Sequence, residues 1–210
     1  MDLKNKKGLV IFVRHGQTDW NTVGRMQGRE DIPLNDTGLA QAAQTAAGLK
    51  KSCDSTGIVF DKVISSPLMR ASVTGEMIAK AISCPCFYTH EGVIERDFGE
   101  LSGKLYDHNS HAITKDVDDC PTLERVSSLV WRVGKFIREN ASEKENVLVV
   151  THGAVTRIFA DHARKKDGYE ITDPFLKNCH LVVYEYKENE PILMGYNVSS
   201  DSLDKFLEEQ

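Results

Sequence analysis

Twice in this chain an apolar run closes on a histidine followed by a glycine. Leu9 to Val13 leads into Arg14-His15-Gly16, and Val147 to Val150 leads into Thr151-His152-Gly153. Short runs rich in Val and Ile and stopped by Gly predict strands buried on both faces, as in a parallel sheet covered by helices on each side. In such sheets ligands bind beyond the carboxyl ends of the strands. If the two strands are parallel neighbours, an imidazole from each tip and the guanidinium of Arg14 face one crevice, a setting for an anion.

The rest of the pattern alternates strands and helices. Strands are expected near residues 8–14 and 59–65, and a helix from about 37 to 50. A second helix is expected from Ser66-Pro67 to about Ile82, because serine caps free amides and proline suits the first helical position. Residues 86–101 read as extended and 104–121 as polar loop, while Leu123, Val126, Val130, Val133 and Ile137 give Thr122 to Asn140 helical spacing. A further helix begins near Ala154. Leu181–Tyr186 and Ile192–Val198, on either side of the charged turn Lys187 to Glu190, predict a hairpin at the sheet edge. Leu203, Phe206 and Leu207 predict a short helix docked on the body. Together these elements predict an α/β fold, a three-layer α/β/α sandwich with a mainly parallel central sheet. With no linker or repeat, residues 1–210 read as a single domain with a cap-like insertion at about 104–121 over the sheet tips.

A formal charge of −5 argues against nucleic acid or an acidic membrane as partner, so attraction for an anion must be local to a pocket. No stretch approaches the roughly twenty apolar residues of a membrane span, and Met1 to Lys7 is too polar for a signal peptide, which together predict a cytoplasmic protein. Cys53, Cys84, Cys86, Cys120 and Cys179 form an odd, scattered set that suits reduced thiols. Cys84-Pro85-Cys86 lacks the second pair that a metal site requires, and His108 and His111 have no carboxylate or thiol beside them, so no metal is expected.

Arg70 follows directly on the strand predicted to end near residue 65 and therefore also faces the crevice. Arg14 and Arg70 offer planar forks that match phosphate oxygens, where a lysine offers only a point charge. There is no P-loop and no acidic cluster to hold magnesium, which points to phosphoryl chemistry without a metal or other cofactor.

In order along the chain stand Arg14-His15-Gly16 with Asn21, Arg25, Gln27-Gly28 and Pro33-Leu34, then Ser65-Ser66-Pro67 with Arg70. Glu95 with Phe98-Gly99 and Gly103 follows, and last comes Thr151-His152-Gly153. From Val10 to Asn197 this series resembles the phosphoglycerate mutase-like histidine phosphatase superfamily, and specifically its small phosphatase branch. The resemblance implies that His15 is the nucleophile and carries a phosphohistidine intermediate. Its second ring nitrogen is expected to donate to a backbone carbonyl, which fixes the tautomer. Arg14, Arg70 and His152, the last best protonated, would surround the equatorial oxygens. Glu95 matches the acid-base carboxylate; Glu91 and Glu100 lie nearby but off the motif.

Asn21 and Thr18 occupy positions of secondary phosphate contacts, although both residue types also cap loops. Gln27 and Arg96 are further substrate-binding candidates, and Asn178 before Cys179 reads as a structural junction.

The expected function is a metal-independent phosphomonoesterase acting on a small phosphorylated metabolite, with an acidic-to-neutral optimum. The short segment between Glu95 and His152, and glutamine at position 27, favour hydrolysis; Arg96 after Glu95 keeps a cofactor-dependent phosphoglycerate mutase as the alternative. A non-catalytic phospholigand-binding module is the alternative of a different class. The resemblance extends to α-ribazole phosphatases, metal-independent phosphoserine phosphatases and broad-specificity phosphatases without separating them. Tyr106, His108, His111 and Lys115 of the insertion are expected to touch the leaving group, and a homodimer is expected from how often soluble enzymes pair.

Overall fold

A computed structural model of the chain describes residues 3–105, 113–118, 120–167, 170–171 and 175–210, with the side chains of 165–167 outside that description. Six strands form one mixed sheet: β1 (Leu9–Arg14), β2 (Lys62–Ser65), β3 (Phe87–Thr89), β4 (Val147–Thr151), β5 (Leu181–Lys187) and β6 (Glu190–Val198), in the order β3-β2-β4-β1-β5-β6. The first four are parallel, and β5 and β6 add an antiparallel hairpin. The helices are α1 (Asp19–Thr22), α2 (Asp36–Thr56), α3 (Met69–Ala81), α4 (Val126–Asn140), α5 (Gly153–Asp167) and α6 (Leu203–Glu208).

The three layers follow from side-chain alternation along the strands. Val10 and Phe12 of β1, Val147 and Val149 of β4, and Val182 and Tyr184 of β5 pack in one core with Leu129, Val133 and Phe136 of α4 and Val155, Ile158 and Phe159 of α5. The intervening Leu9, Ile11 and Val13, Leu148 and Val150, and Leu181 and Val183 point the other way. They meet Ala46 and Leu49 of α2, Ala71 and Ile78 of α3, and Leu203 and Leu207 of α6. Each Val, Leu, Ile or Phe among them stabilises the fold by about 1.5–3 kcal/mol on burial. A central strand with neither face toward water thus reads as an unbroken apolar run, as both histidine-tipped strands do.

Two boundaries depart from expectation. The helix after β2 starts at Met69, not at Pro67, because its first amide is capped from a distant loop: the Met69 N–H donates to Asp31 Oδ1 at 2.7 Å. Ser66 is therefore not its cap. Residues 86–101 are extended only over β3, after which Glu91–Val93 and Gly99–Leu101 wind into single 3-10 turns. Of the expected insertion at about 104–121, residues 106–112 and 119 lie outside the described residues.

The loop leaving β1 is held close to α2 by paired glycines. A Cβ at Gly16 would lie 2.4 Å from the Gly38 carbonyl oxygen, and one at Gly38 would lie 2.0 Å from that of Gln17. Backbone meets backbone there, and this presses the residue between β1 and Gly16, His15, against the sheet tip.

Candidate active site

β1 and β4 run side by side with Val13 opposite Val150 and Arg14 opposite Thr151, so the next residue of each chain segment is a histidine. The His15 and His152 rings lie 5.2 Å apart at 61°. His15 is anchored through its N–H to the Thr151 carbonyl at 3.0 Å, and its own carbonyl accepts from Asn178 Nδ2 at 2.9 Å. Its Nδ1 stands 2.6 Å from the Gly16 carbonyl oxygen. A carbonyl only accepts, so the proton sits on Nδ1 and the Nε2 lone pair is free, as the expected nucleophile requires. Burial above all, with Arg70 and Arg14 next, holds the imidazole well below its usual range and therefore neutral.

Both arginines are aimed by carbonyls. Arg70, fully buried, donates from Nη1 to Glu30 at 2.6 Å and from Nη2 to Gly28 at 2.8 Å. Gly28 can present that carbonyl because it sits at φ +53°. Arg14 donates from Nη1 to Leu176 at 2.6 Å. In each, Nε is buried with no partner among the described residues, a donor left for a ligand. Burial pushes Arg70 down to about 10, which leaves it charged at neutral pH.

Ser66, freed from helix capping, serves His152. Its Oγ accepts from the Leu68 N–H at 3.3 Å and lies 2.7 Å from His152 Nε2. The hydroxyl proton has no other acceptor among the described residues, so it goes to Nε2, which places the ring proton on Nδ1. That Nδ1 is buried without a partner among the described residues. The expectation of a protonated His152 is corrected for the free enzyme alone: burial first, then Arg70, His15, Arg132 and Arg14, holds it well below its usual range, and the charged form would need a bound anion. The neutral ring with its proton on Nδ1 is already a donor.

Glu95 sits at the N-terminus of α5. Its Oε1 accepts from the Arg96 N–H at 2.8 Å and the Val155 N–H at 3.2 Å, and its Oε2 from the Ala154 N–H at 3.3 Å. Burial raises its pKa, opposed by these amides and by Arg70. Its backbone is held by Arg132, which donates from Nη2 to the Glu95 carbonyl at 3.3 Å and from Nη1 to that of Gly92 at 3.0 Å.

Arg96 is a second correction. Its guanidinium is fully buried and turned inward, donating to the carbonyls of Glu124 at 2.8 Å and Lys115 at 3.0 Å and pairing with Asp116 at 2.9 Å. It is a strut behind Glu95 and does not line the cleft. Thr18 likewise resolves as a cap. Its hydroxyl accepts from the Asn21 N–H at 3.2 Å while Asn21 Oδ1 accepts from the Thr18 N–H at 3.1 Å, the reciprocal pattern of a capping box. Asn21 lines the cleft, and with Oδ1 engaged its Nδ2 remains as a donor toward it.

The cleft, about 320 Å³, contains Arg14, His15, Asn21, Gln27, Arg70 and Glu95 at its floor. Gln27 brings an Oε1 that is buried without a described partner. The outer wall was not foreseen: Trp20, Met26, Phe98, Phe175 and Leu176 come from segments far apart in sequence, with Ile113 alone among the described residues of the expected insertion. Lys115 faces a different hollow, and Tyr106, His108 and His111 lie outside the described residues. Among the described residues no three His, Cys, Asp or Glu side chains converge as a metal site would require, and no helix is long and apolar enough to cross a membrane.

Comparison with known proteins shows the family and the fold. A model of the histidine phosphatase superfamily (branch 1) matches residues 10–199. The uncharacterized phosphatase PhoE of Bacillus subtilis is 31% identical over 193 residues, covering 91% of this chain and 95% of that protein. A metal-independent phosphoserine phosphatase of Arabidopsis thaliana is 32% identical over 160 residues, covering 70% and 65% of the two chains. Among solved structures, a phosphoglycerate mutase from Bacillus anthracis superposes with a TM-score of 0.76 at 21% identity, covering 96% of this chain and 98% of that one, a likeness of fold.

Proposed function

The chain belongs to the histidine phosphatase superfamily, branch 1, and from that premise we propose that it is a phosphomonoesterase working through His15 without a metal. The observation that carries this reading is the 2.6 Å contact of His15 Nδ1 with the Gly16 carbonyl, which leaves Nε2 unprotonated in the same cleft as the Glu95 carboxyl. Burial keeps the imidazole neutral and raises the Glu95 pKa.

In the first step His15 Nε2 attacks phosphorus and the bond to the alcohol oxygen breaks, while the Glu95 carboxyl proton passes to that oxygen so that a neutral alcohol leaves. In the second, water attacks the phosphohistidine, the P–N bond breaks, and the Glu95 carboxylate takes the water's proton. Arg14 Nε, Arg70 Nε and His152 Nδ1 are the buried donors left for the equatorial oxygens, where fixed dipoles and charges stabilise the transferring group. Asn21 Nδ2 and Gln27 are assigned secondary contacts. Thr18 and Arg96 act behind the site, through Asn21 and Glu95.

The mutase alternative rested on Arg96, and that guanidinium is taken up by Glu124, Lys115 and Asp116. A binding module has no use for an acid placed beside a free imidazole lone pair. The family match across residues 10–199 supports reading 1–210 as one catalytic domain.

The test is phosphate release from p-nitrophenyl phosphate with chelator present, for the native chain, His15→Ala and Glu95→Gln. Chelator-insensitive release that His15→Ala abolishes supports the proposal. The pH profile should fall on its alkaline side as Glu95 loses its proton and should extend far to the acid side, because His15 resists protonation. Metal-dependent release, or activity that survives loss of His15, overturns it.

A further inference from the structure

The cleft carries charge that the proposed reaction leaves unused. Four arginines line it, Arg14, Arg25, Arg70 and Arg157, against a single carboxylate among the described residues, Glu95. A phosphoryl dianion is matched by Arg14 and Arg70, and Glu95 enters the first step as the acid. The positive charges of Arg25 and Arg157 remain, in a chain whose net charge is −5. Neither forms an ion pair with a described residue. Each instead lies over an aromatic ring of the outer wall, with the Arg25 guanidinium carbon 5.5 Å from the centre of Trp20 and that of Arg157 5.5 Å from the centre of Phe175. Arg25 is also tethered to the Gly103 carbonyl. Arg157, on α5, makes no hydrogen bond to a described residue and keeps its donors.

The wall between them is apolar: Trp20, Met26, Phe98, Ile113, Phe175 and Leu176. Apolar walls with a few placed polar groups select a ligand's body by area and its orientation by charge. Resting on the phosphatase reading, we infer that the preferred substrate is a phosphomonoester of a flat, apolar alcohol that bears a second anionic group, and that Arg157 reads that group. Phosphoserine fits poorly, since its ammonium finds no described carboxylate other than Glu95 and its small polar body leaves the wall uncovered. This chain then departs from the substrate named for its Arabidopsis relative.

An isosteric series isolates the charge: phenyl phosphate, 4-carboxyphenyl phosphate, phenylene bisphosphate and 4-(aminomethyl)phenyl phosphate, with phosphoserine beside them. Ratios of kcat/KM between native chain and variant cancel the intrinsic reactivity of each leaving group. The expected order in the native chain puts the carboxylate or second phosphate first and the ammonium last, and which anion leads decides between those two sources. Arg157→Gln should lower the ratio of anionic to neutral ester by about fivefold, the scale of a half-exposed ion pair, and Arg157→Lys should restore most of it.

The same comparison is made by calorimetry with benzylphosphonate and 4-carboxybenzylphosphonate, which bind without reacting. If no ester is hydrolysed, the phosphatase reading fails while the binding arm still decides the inference. An ammonium ester favoured over the carboxylate overturns the inference. An anion preference unchanged in Arg157→Gln, in turnover or in binding, does so as well.

Discussion

Ser66→Ala removes one oxygen from the molecule and tests how His152 is prepared. That oxygen lies 2.7 Å from His152 Nε2 and accepts the Leu68 N–H at 3.3 Å, and both Ser66 and His152 are fully buried. Alanine keeps the Cβ, so little apolar contact is lost, but it orphans a ring nitrogen and a backbone amide in a place water does not reach. A buried polar group left unsatisfied costs about 1–3 kcal/mol. The imidazole contact is short and the amide contact is long, so the sum falls at about 2–3 kcal/mol of unfolding free energy.

The catalytic effect has a different origin. Without the hydroxyl donor nothing holds the ring proton on Nδ1, and the population of the donor tautomer drops, with an expected loss of about tenfold in kcat, or about 1.4 kcal/mol. Urea denaturation with an unchanged m-value gives the first quantity. Turnover of an aryl phosphate gives the second, and the 15N spectrum of the imidazoles reports the tautomer directly. A stability loss under about 0.5 kcal/mol, with kcat within twofold of the native chain and an unchanged His152 spectrum, would refute the reasoning.

Three further outcomes are expected. Arg70→Lys replaces a fork held by two carbonyls with a point charge and should lower kcat/KM by about 100-fold or more, as loss of a preorganised oxyanion donor does; a loss under about threefold counts against its role. Arg96→Met should cost about 3 kcal/mol of stability, because it abandons buried carbonyls and Asp116; a raised KM at unchanged stability would return Arg96 to the substrate. His15 and His152 both have folded pKa values below their unfolded ones, so the unfolded chain binds more protons and stability falls as pH drops below about 6.5. Two groups give a slope of at most about 2.7 kcal/mol per pH unit, which the raised pKa of Glu95 partly offsets, and His15→Ala should remove the share of one histidine; a profile between about pH 6 and 5 that His15→Ala leaves unchanged contradicts it.

What the sequence revealed, and what it hid, divides along physical lines. Strands buried on both faces betray themselves as apolar runs, so β1, β4 and the histidines at their tips were legible, as was the hairpin of β5 and β6 from its charged turn. The docking of α6 followed from the spacing of Leu203 and Leu207. Hidden were features made by contacts between distant segments. Asp31 caps α3 from a loop, which releases Ser66 for His152, and no local signal marks that exchange. Arg96 stands in a motif beside Glu95, the carboxylate proposed as the acid, yet its direction is set by Lys115, Asp116 and Glu124, so sequence adjacency misled. Arg132 behind Glu95 was missed for the same reason. The aromatic wall gathers Trp20, Phe98 and Phe175, which only the fold brings together.

The account turns on a covalent bond from phosphorus to one nitrogen. Rapid alkaline quench of the enzyme during turnover of an aryl phosphate, followed by identification of the modified residue and ring position, tests it most directly. The predicted product is a phosphoramidate on Nε2 of His15, formed with chelator present and absent in His15→Ala. Phosphate on His152, phosphate on Nδ1 of His15, or no phosphoenzyme despite a burst of alcohol would contradict it.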